Sequence, residues 1–233
     1  LKVGTPLDKF LFMKSAIVAF LLLFSVSAFA EEVLIIGDSL TCGSFGRQLL
    51  KNLTDRGDSV TLFCTVSSAP IHWLEGRNPA GFVCKTMSSR KPTLENCGTA
   101  GVTPKLDDIL AGNNSTTVIV ALGTNTLYAG RTDATYRRVA QTVASAQRRC
   151  LWVGPPRLNE SESKGYPKGR VAELDTKLTT FYPSLVQVTN TFCKVIDSRP
   201  ATAPGTPGIH TTDGIHRTSA AGIFWANQLK PQF

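Results

Sequence analysis

The sequence is short of several features that would place it quickly. It has no Cys-x-x-Cys pair, so its six cysteines lack the spacing of a zinc ribbon or a redox motif. No internal repeat is visible, which sets aside solenoids and propellers. Lysines and arginines are scattered, with no basic stripe interleaved with aromatic residues, and this argues against a nucleic-acid partner. After residue 30, no apolar run approaches the ~20 residues that a membrane span requires. Hydrophobic residues nevertheless make up 42% of the chain, which excludes wholesale disorder.

The longest apolar stretch stands near the amino terminus. Lys14 precedes Ala16 to Phe24, and Ala28-Phe29-Ala30 has the small-x-small pattern of a signal peptidase site. Residues 1–30 therefore read as upstream residues, before Met13, followed by a secretory leader. Residues 31–233 read as one domain, exported to a periplasm or to the outside, with no transmembrane anchor once the leader is cleaved. The formal charge of +8 falls to +6 when Lys2, Lys9, Lys14 and Asp8 leave with it. A mild positive excess suits anionic envelope polymers or surfaces. All six cysteines lie in the exported part, and an even number permits full pairing in an oxidising compartment.

Past the leader, strand and helix patterns alternate. Val33-Leu34-Ile35-Ile36 is apolar at every position and stops in Gly37-Asp38-Ser39-Leu40, the pattern of a buried parallel strand that delivers a serine to a turn. Phe45 to Leu53 has helical spacing, and Ser59 to Val66 reads as a second strand. Ser67 to Thr103 is irregular and rich in Gly, Pro, Ser and Asn, so it reads as a long functional or stapled loop. Lys105 to Leu110 predicts a short helix, and Thr116 to Leu122 a third strand ending in Gly123-Thr124-Asn125-Thr126. A helix from Thr132 to Arg149 follows, then a strand at Leu151 to Val153, a helix near Val171 to Phe181, a strand at Phe192 to Ile196, and a last helix from Ser219 to Leu229. Ser198 to Gly208 reads as surface loop. This alternation predicts a parallel sheet with helices on both faces.

A serine hydroxyl becomes a nucleophile only when a base takes its proton, and the base works best when a third group fixes its tautomer. The chain has three histidines to choose from. Asp213 and His216 can place a carboxylate beside one imidazole nitrogen while the other faces Ser39. His210 stands at the mirrored spacing before Asp213, so distance along the chain does not choose between them, and His72 is the third candidate. Asn125, at the end of a buried strand, is a carboxamide at the same sheet edge.

These blocks together resemble the SGNH, or GDSL, hydrolase family of esterases and lipases. Gly37-Asp38-Ser39-Leu40 matches that family's first block, continued by Thr41 and Gly43. Gly123-Thr124-Asn125 resembles its Gly-x-Asn-Asp block, with Thr126 in place of the last Asp, and Asp213-Gly214-Ile215-His216 matches its Asp-x-x-His block. The resemblance implies Ser39 as nucleophile, His216 as base, Asp213 as its orienter and Asn125 as an oxyanion donor, with no cofactor and no metal. The match fails at the second block, where the family has a glycine whose N–H donates to the oxyanion. Here the nearest place is Ser67-Ser68-Ala69-Pro70; a backbone N–H survives the change, so Ser67 is one candidate, and Gly98 and Gly101 are the others. The implied fold is a flavodoxin-like α/β/α sandwich on a parallel five-stranded sheet. In that fold Cys150 and Cys193 begin neighbouring strands and would pair; Cys84 with Cys97 would staple the irregular loop, leaving Cys42 with Cys64.

The activity so implied is that of an exported serine esterase acting on short acyl groups, above all acetyl, on a carbohydrate or envelope polysaccharide. No lid-like amphipathic helix or large apolar insertion is apparent that would bury a long acyl tail. The alternatives are a lipase or thioesterase of the same fold, and a silent carbohydrate-binding member with His72, Trp73 and Trp152 as stacking surfaces.

Overall fold

The unbroken apolar run Val33–Ile36 cannot alternate between core and solvent, and in the computed structural model it forms β1 (Glu32–Gly37), buried on both faces. The structure describes residues 30–78, 81–127 and 133–233, so the predicted leader, save for Ala30, lies outside the described residues. After β1 come two helices, α1 (Ser39–Cys42) and α2 (Ser44–Asp55), and then β2 (Ser59–Cys64), parallel to β1. The chain continues through α3 (Pro70–Glu75), the strands β3 (Lys85–Ser88) and β4 (Glu95–Asn96), and α4 (Leu106–Ala111). It then alternates β5 (Thr117–Ala121), α5 (Asp133–Ser145), β6 (Arg149–Val153), α6 (Arg170–Thr189), β7 (Lys194–Ile196) and α7 (Ser219–Leu229).

The sheet order is β4-β3-β2-β1-β5-β6-β7. Its five parallel strands have the doubly wound order in which the first strand lies between the second and third parallel strands, β2 and β5. The direction of winding therefore reverses between β1 and β5, and a crevice opens at their carboxyl ends. The pleat of β1 serves both layers. Val33 and Ile35 pack with Leu49 and Leu53 of α2 and Trp225 of α7, while Leu34 and Ile36 pack with Tyr136 and Val139 of α5 and Phe181 of α6. The result is the predicted three-layer α/β/α sandwich. No helix among the described residues is long and apolar enough to cross a membrane.

Three details differ from the sequence reading. The sheet has seven strands, not five, because the stretch read as irregular folds back as an antiparallel β3–β4 hairpin on the edge of β2. Lys85-Thr86-Met87-Ser88 buries Met87 alone and β4 has two exposed residues, so neither carries the alternation that marks a strand. The same stretch also contains α3. The helix expected near Val171 to Phe181 runs on to Thr189 through Pro183, since Leu185 and Val188 continue its buried face. The helix expected to reach Arg149 stops at Ser145, and Arg149 opens β6.

The cysteines form three disulfides, Cys42–Cys64, Cys84–Cys97 and Cys150–Cys193, with Cα separations of 5.4, 5.2 and 4.4 Å. The first ties α1 to the end of β2, the second closes the edge hairpin, and the third joins β6 to the residue before β7.

Candidate active site

β1 ends in Gly37, where a Cβ would run into the Thr41 side chain; glycine is what lets α1 fold back over the strand end. Asp38 caps that helix, its Oδ1 accepting the Leu40 N–H at 3.0 Å. Ser39, the first residue of α1, is thereby set half-buried at the carboxyl edge of the sheet, beside the β1–β5 switch. The loop after β2 is latched to the same point. The Thr65 N–H and the Ser68 hydroxyl both donate to the Gly37 carbonyl, at 3.1 and 3.3 Å. Trp73 in turn donates its indole N–H to Ser68 Oγ at 3.2 Å, and Cys42–Cys64 closes the group.

The second half of the site comes from a turn 174 or more residues away in sequence. His216 Nε2 lies 3.1 Å from Ser39 Oγ, and its Nδ1 lies 2.8 Å from Asp213 Oδ2. Asp213 Oδ1 accepts the N–H groups of Ile215 and His216 at 2.9 and 2.7 Å, which locks the carboxylate and the imidazole into one turn. Burial works against the charge on Asp213, but the hydrogen bonds from His216 and from these two backbone N–H groups outweigh it and hold the carboxyl below its ordinary range. Gly214 sits at φ +89°, and a Cβ there would come within 2.9 Å of the Asn159 carbonyl and 3.1 Å of Val171.

The other histidines point elsewhere. His210 is exposed, its Nδ1 2.7 Å from Glu162, which also accepts the Thr211 hydroxyl at 2.8 Å. His72 Nδ1 accepts the Ala69 N–H at 2.9 Å and so caps α3, and burial keeps its pKa below the usual value. The structure thus places His216, rather than His210 or His72, against Ser39.

Asn125 follows Gly123 in the 3-10 turn after β5. Its Nδ2 donates to the Ser68 carbonyl at 3.1 Å and approaches Asp38 Oδ2 at 3.4 Å, so the carboxamide stands over the same crevice as Ser39. Ser67 adopts φ +60°, one of two non-glycine residues with positive φ among those described. It therefore takes the left-handed conformation that a glycine would enter without strain, in a turn closed by the Ser68 N–H to the Thr65 carbonyl at 3.2 Å. Gly101 spends its N–H on the Phe82 carbonyl at 2.8 Å, and Gly98 packs against Val102 and Cys84, so both belong to the edge hairpin. Trp73 and Trp152 are 0% exposed, with their indole N–H groups bonded to Ser68 and to the Leu122 carbonyl. Neither can stack on a sugar, which corrects that expectation.

Sequence reasoning missed Ser68 and Glu162. Ser68 holds Gly37, Trp73 and Asn125 together, and Glu162 pins the residues just before Asp213. Only the fold brings these partners into reach, so no local pattern marks either residue. Asp38 caps α1 and lies buried at the strand end. Its complete burial pushes its pKa up to about 7, against the opposing pull of the Leu40 N–H and the charge of His216.

No protein-family model matches the sequence, and no curated protein matches it significantly. Solved structures do. A candidate SGNH hydrolase from Slackia heliotrinireducens is 14% identical, with 87% of this chain and 98% of that chain covered at a TM-score of 0.61. A carbohydrate acetylesterase from Sinorhizobium meliloti is 17% identical, with 87% and 97% covered at 0.54. The aryl esterase of M. smegmatis is 18% identical, with 87% and 98% covered at 0.52. On this likeness and on its own sheet order, the chain has the fold of the SGNH hydrolases.

Proposed function

We propose that the chain is a serine ester hydrolase of the SGNH type. The observation that carries this reading is the continuous relay from Ser39 Oγ to His216 Nε2 at 3.1 Å and from His216 Nδ1 to Asp213 Oδ2 at 2.8 Å. With Asp213 holding the Nδ1 proton, Nε2 is the basic nitrogen and faces the hydroxyl. Ser39 attacks the ester carbonyl as His216 takes its proton; the tetrahedral oxyanion then collapses, and His216 gives the proton to the departing alcohol. Water repeats the sequence on the acyl-enzyme and frees the acid. One N–H of Asn125 is fixed by the Ser68 carbonyl, which leaves the other, in the longer 3.4 Å contact with Asp38, to turn to the oxyanion. The Ser67 N–H is the proposed second donor. Its left-handed backbone supports that assignment, because it is a conformation that favours glycine, the residue the family has after the second strand.

The substrate we propose is a short acyl ester, acetyl above all, on a carbohydrate. The fold neighbours that support it include a carbohydrate acetylesterase and an acetyl xylan esterase. Export to a periplasm or to the outside is supported by the leader pattern and by the three disulfides.

Labelling with a serine-directed fluorophosphonate tests the reaction class: wild type should be labelled and Ser39→Ala should not. A p-nitrophenyl ester series tests the acyl group. A lipase gains ~0.8 kcal/mol per buried methylene, so its kcat/KM climbs with chain length. Here kcat/KM should peak at acetate or butyrate, and a peak at octanoate or beyond would replace the acetylesterase reading with a lipase.

A further inference from the structure

The segments that carry Ser39 and His216 each run on into one rim of a cleft of about 460 Å³. One rim is Gly43 and the first turns of α2, with Ser44, Arg47, Gln48 and Lys51; the other is Arg217 and the start of α7, with Ser219. Gly43 stands four residues after Ser39, hence at most about 15 Å away, and Arg217 follows His216 directly.

The lining holds three cations and no carboxylate. Arg47 is exposed and has no acidic partner among the described residues. Lys51 pairs with Asp55 at 2.6 Å, but both side chains are more than half exposed, so an incoming anion displaces that pair at little cost. Arg217 is held by the fold. It donates Nη2 to the carbonyls of Arg157 and Thr202, and its Nε and Nη1 are buried without a hydrogen-bond partner; Glu162 and Asp175 attract it, but neither lies within ion-pair distance. A half-buried guanidinium at the lining with no ion-pair partner is screened less than an exposed one, so it adds positive potential to the cleft. The two helices add to it. Neither α2, of 12 residues, nor α7, of 11, has an acidic residue in its first turn, and they start side by side: a Cβ at Gly222 would collide with Ser44.

We propose that this cleft is a subsite for an anionic group of the substrate polymer, a carboxylate or a phosphate on a unit neighbouring the ester that Ser39 attacks. Its place in catalysis rests on the esterase reading; the binding itself does not. The test measures binding of three labelled probes to the mature protein: an oligogalacturonate, a glycerol-phosphate oligomer and a neutral xylo-oligosaccharide. At low salt one or both anionic probes should bind at least tenfold more tightly than the neutral one, and the preference should shrink as salt rises. Which anion wins tells a carboxylate polymer from a phosphate polymer. Arg47→Glu should abolish the preference. Arg137→Glu, the same charge change at an exposed position on α5, should keep it. No preference for either anion, or a preference that survives Arg47→Glu, would overturn the proposal. Hydrolysis of p-nitrophenyl acetate by wild type is followed in parallel. Arg47-dependent anion binding in a protein that turns over no ester would support the cleft and sink the esterase reading.

Discussion

At the scale of the residue, a serine at the first turn of a short helix has little reactivity of its own; what distinguishes Ser39 is the imidazole 3.1 Å away. If the two act as a unit, Ser39→Ala and His216→Ala should each cost several orders of magnitude in esterase kcat, and the double variant little more than either. Additive losses, or a larger loss in His210→Ala than in His216→Ala, would reassign the base. Asp38 makes a second prediction. Its folded pKa of about 7 lies above the ordinary 3.8, because burial disfavours the carboxylate. Between those values the native protein holds a proton that the unfolded chain has lost, so this group makes stability fall as pH rises from about 4 to 7. At ~1.4 kcal/mol per unit the loss over that window amounts to a few kcal/mol. Asp38→Asn keeps a side-chain oxygen for the Leu40 N–H but cannot ionise. Urea unfolding at pH 5 and pH 8 should therefore show wild type losing ground to Asp38→Asn on going to the higher pH. Parallel pH profiles would show that the carboxyl titrates as it does in the unfolded chain.

At the scale of the element, the Asp213–His216 turn carries two thirds of the relay on four residues, and Gly214 is what lets it close. Its φ of +89° and the 2.9 Å approach of the Asn159 carbonyl leave no place for a side chain. Gly214→Ala should cost about 1–3 kcal/mol of stability and depress kcat more than KM, since the proposed base, His216, shifts while the binding surfaces stay. Unchanged kcat in a destabilised protein would separate this turn from catalysis. The contrast with the edge of the sheet explains what could be read from sequence. β1, β5 and α2 were legible because buried parallel strands are apolar throughout and an amphipathic helix imposes its own period; the blocks around Ser39 and Asn125 follow β1 and β5, and the block of His216 comes just before α7. The β3–β4 hairpin was not, because a two- to four-residue edge strand owes its form to the neighbour it pairs with and to the Cys84–Cys97 bridge. Ser67 was ambiguous for a related reason: a left-handed serine looks like any other serine until its turn is built.

At the scale of the whole molecule, the three disulfides should separate stability from activity. They close loops of 13, 22 and 43 residues, for Cys84–Cys97, Cys42–Cys64 and Cys150–Cys193. Loop-closure entropy grows slowly with loop length, giving roughly 3, 3.4 and 4 kcal/mol in that order if each bridge is unstrained. On stability alone, then, replacing Cys150 and Cys193 by serine should lower the unfolding midpoint most. Catalysis should follow position instead. Cys42–Cys64 joins the helix that starts at Ser39 to the strand whose following loop carries Ser67 and Ser68, so its loss loosens the proposed nucleophile and oxyanion donors together. The other two bridges stand at the sheet's edge hairpin and between β6 and β7. Well below every midpoint, the Cys42→Ser, Cys64→Ser protein should therefore show the largest fall in kcat while losing less stability than the Cys150→Ser, Cys193→Ser protein. Chemical denaturation and p-nitrophenyl acetate turnover on the three paired variants give both rankings. If the two rankings coincide, the bridge beside Ser39 serves only to hold the chain folded.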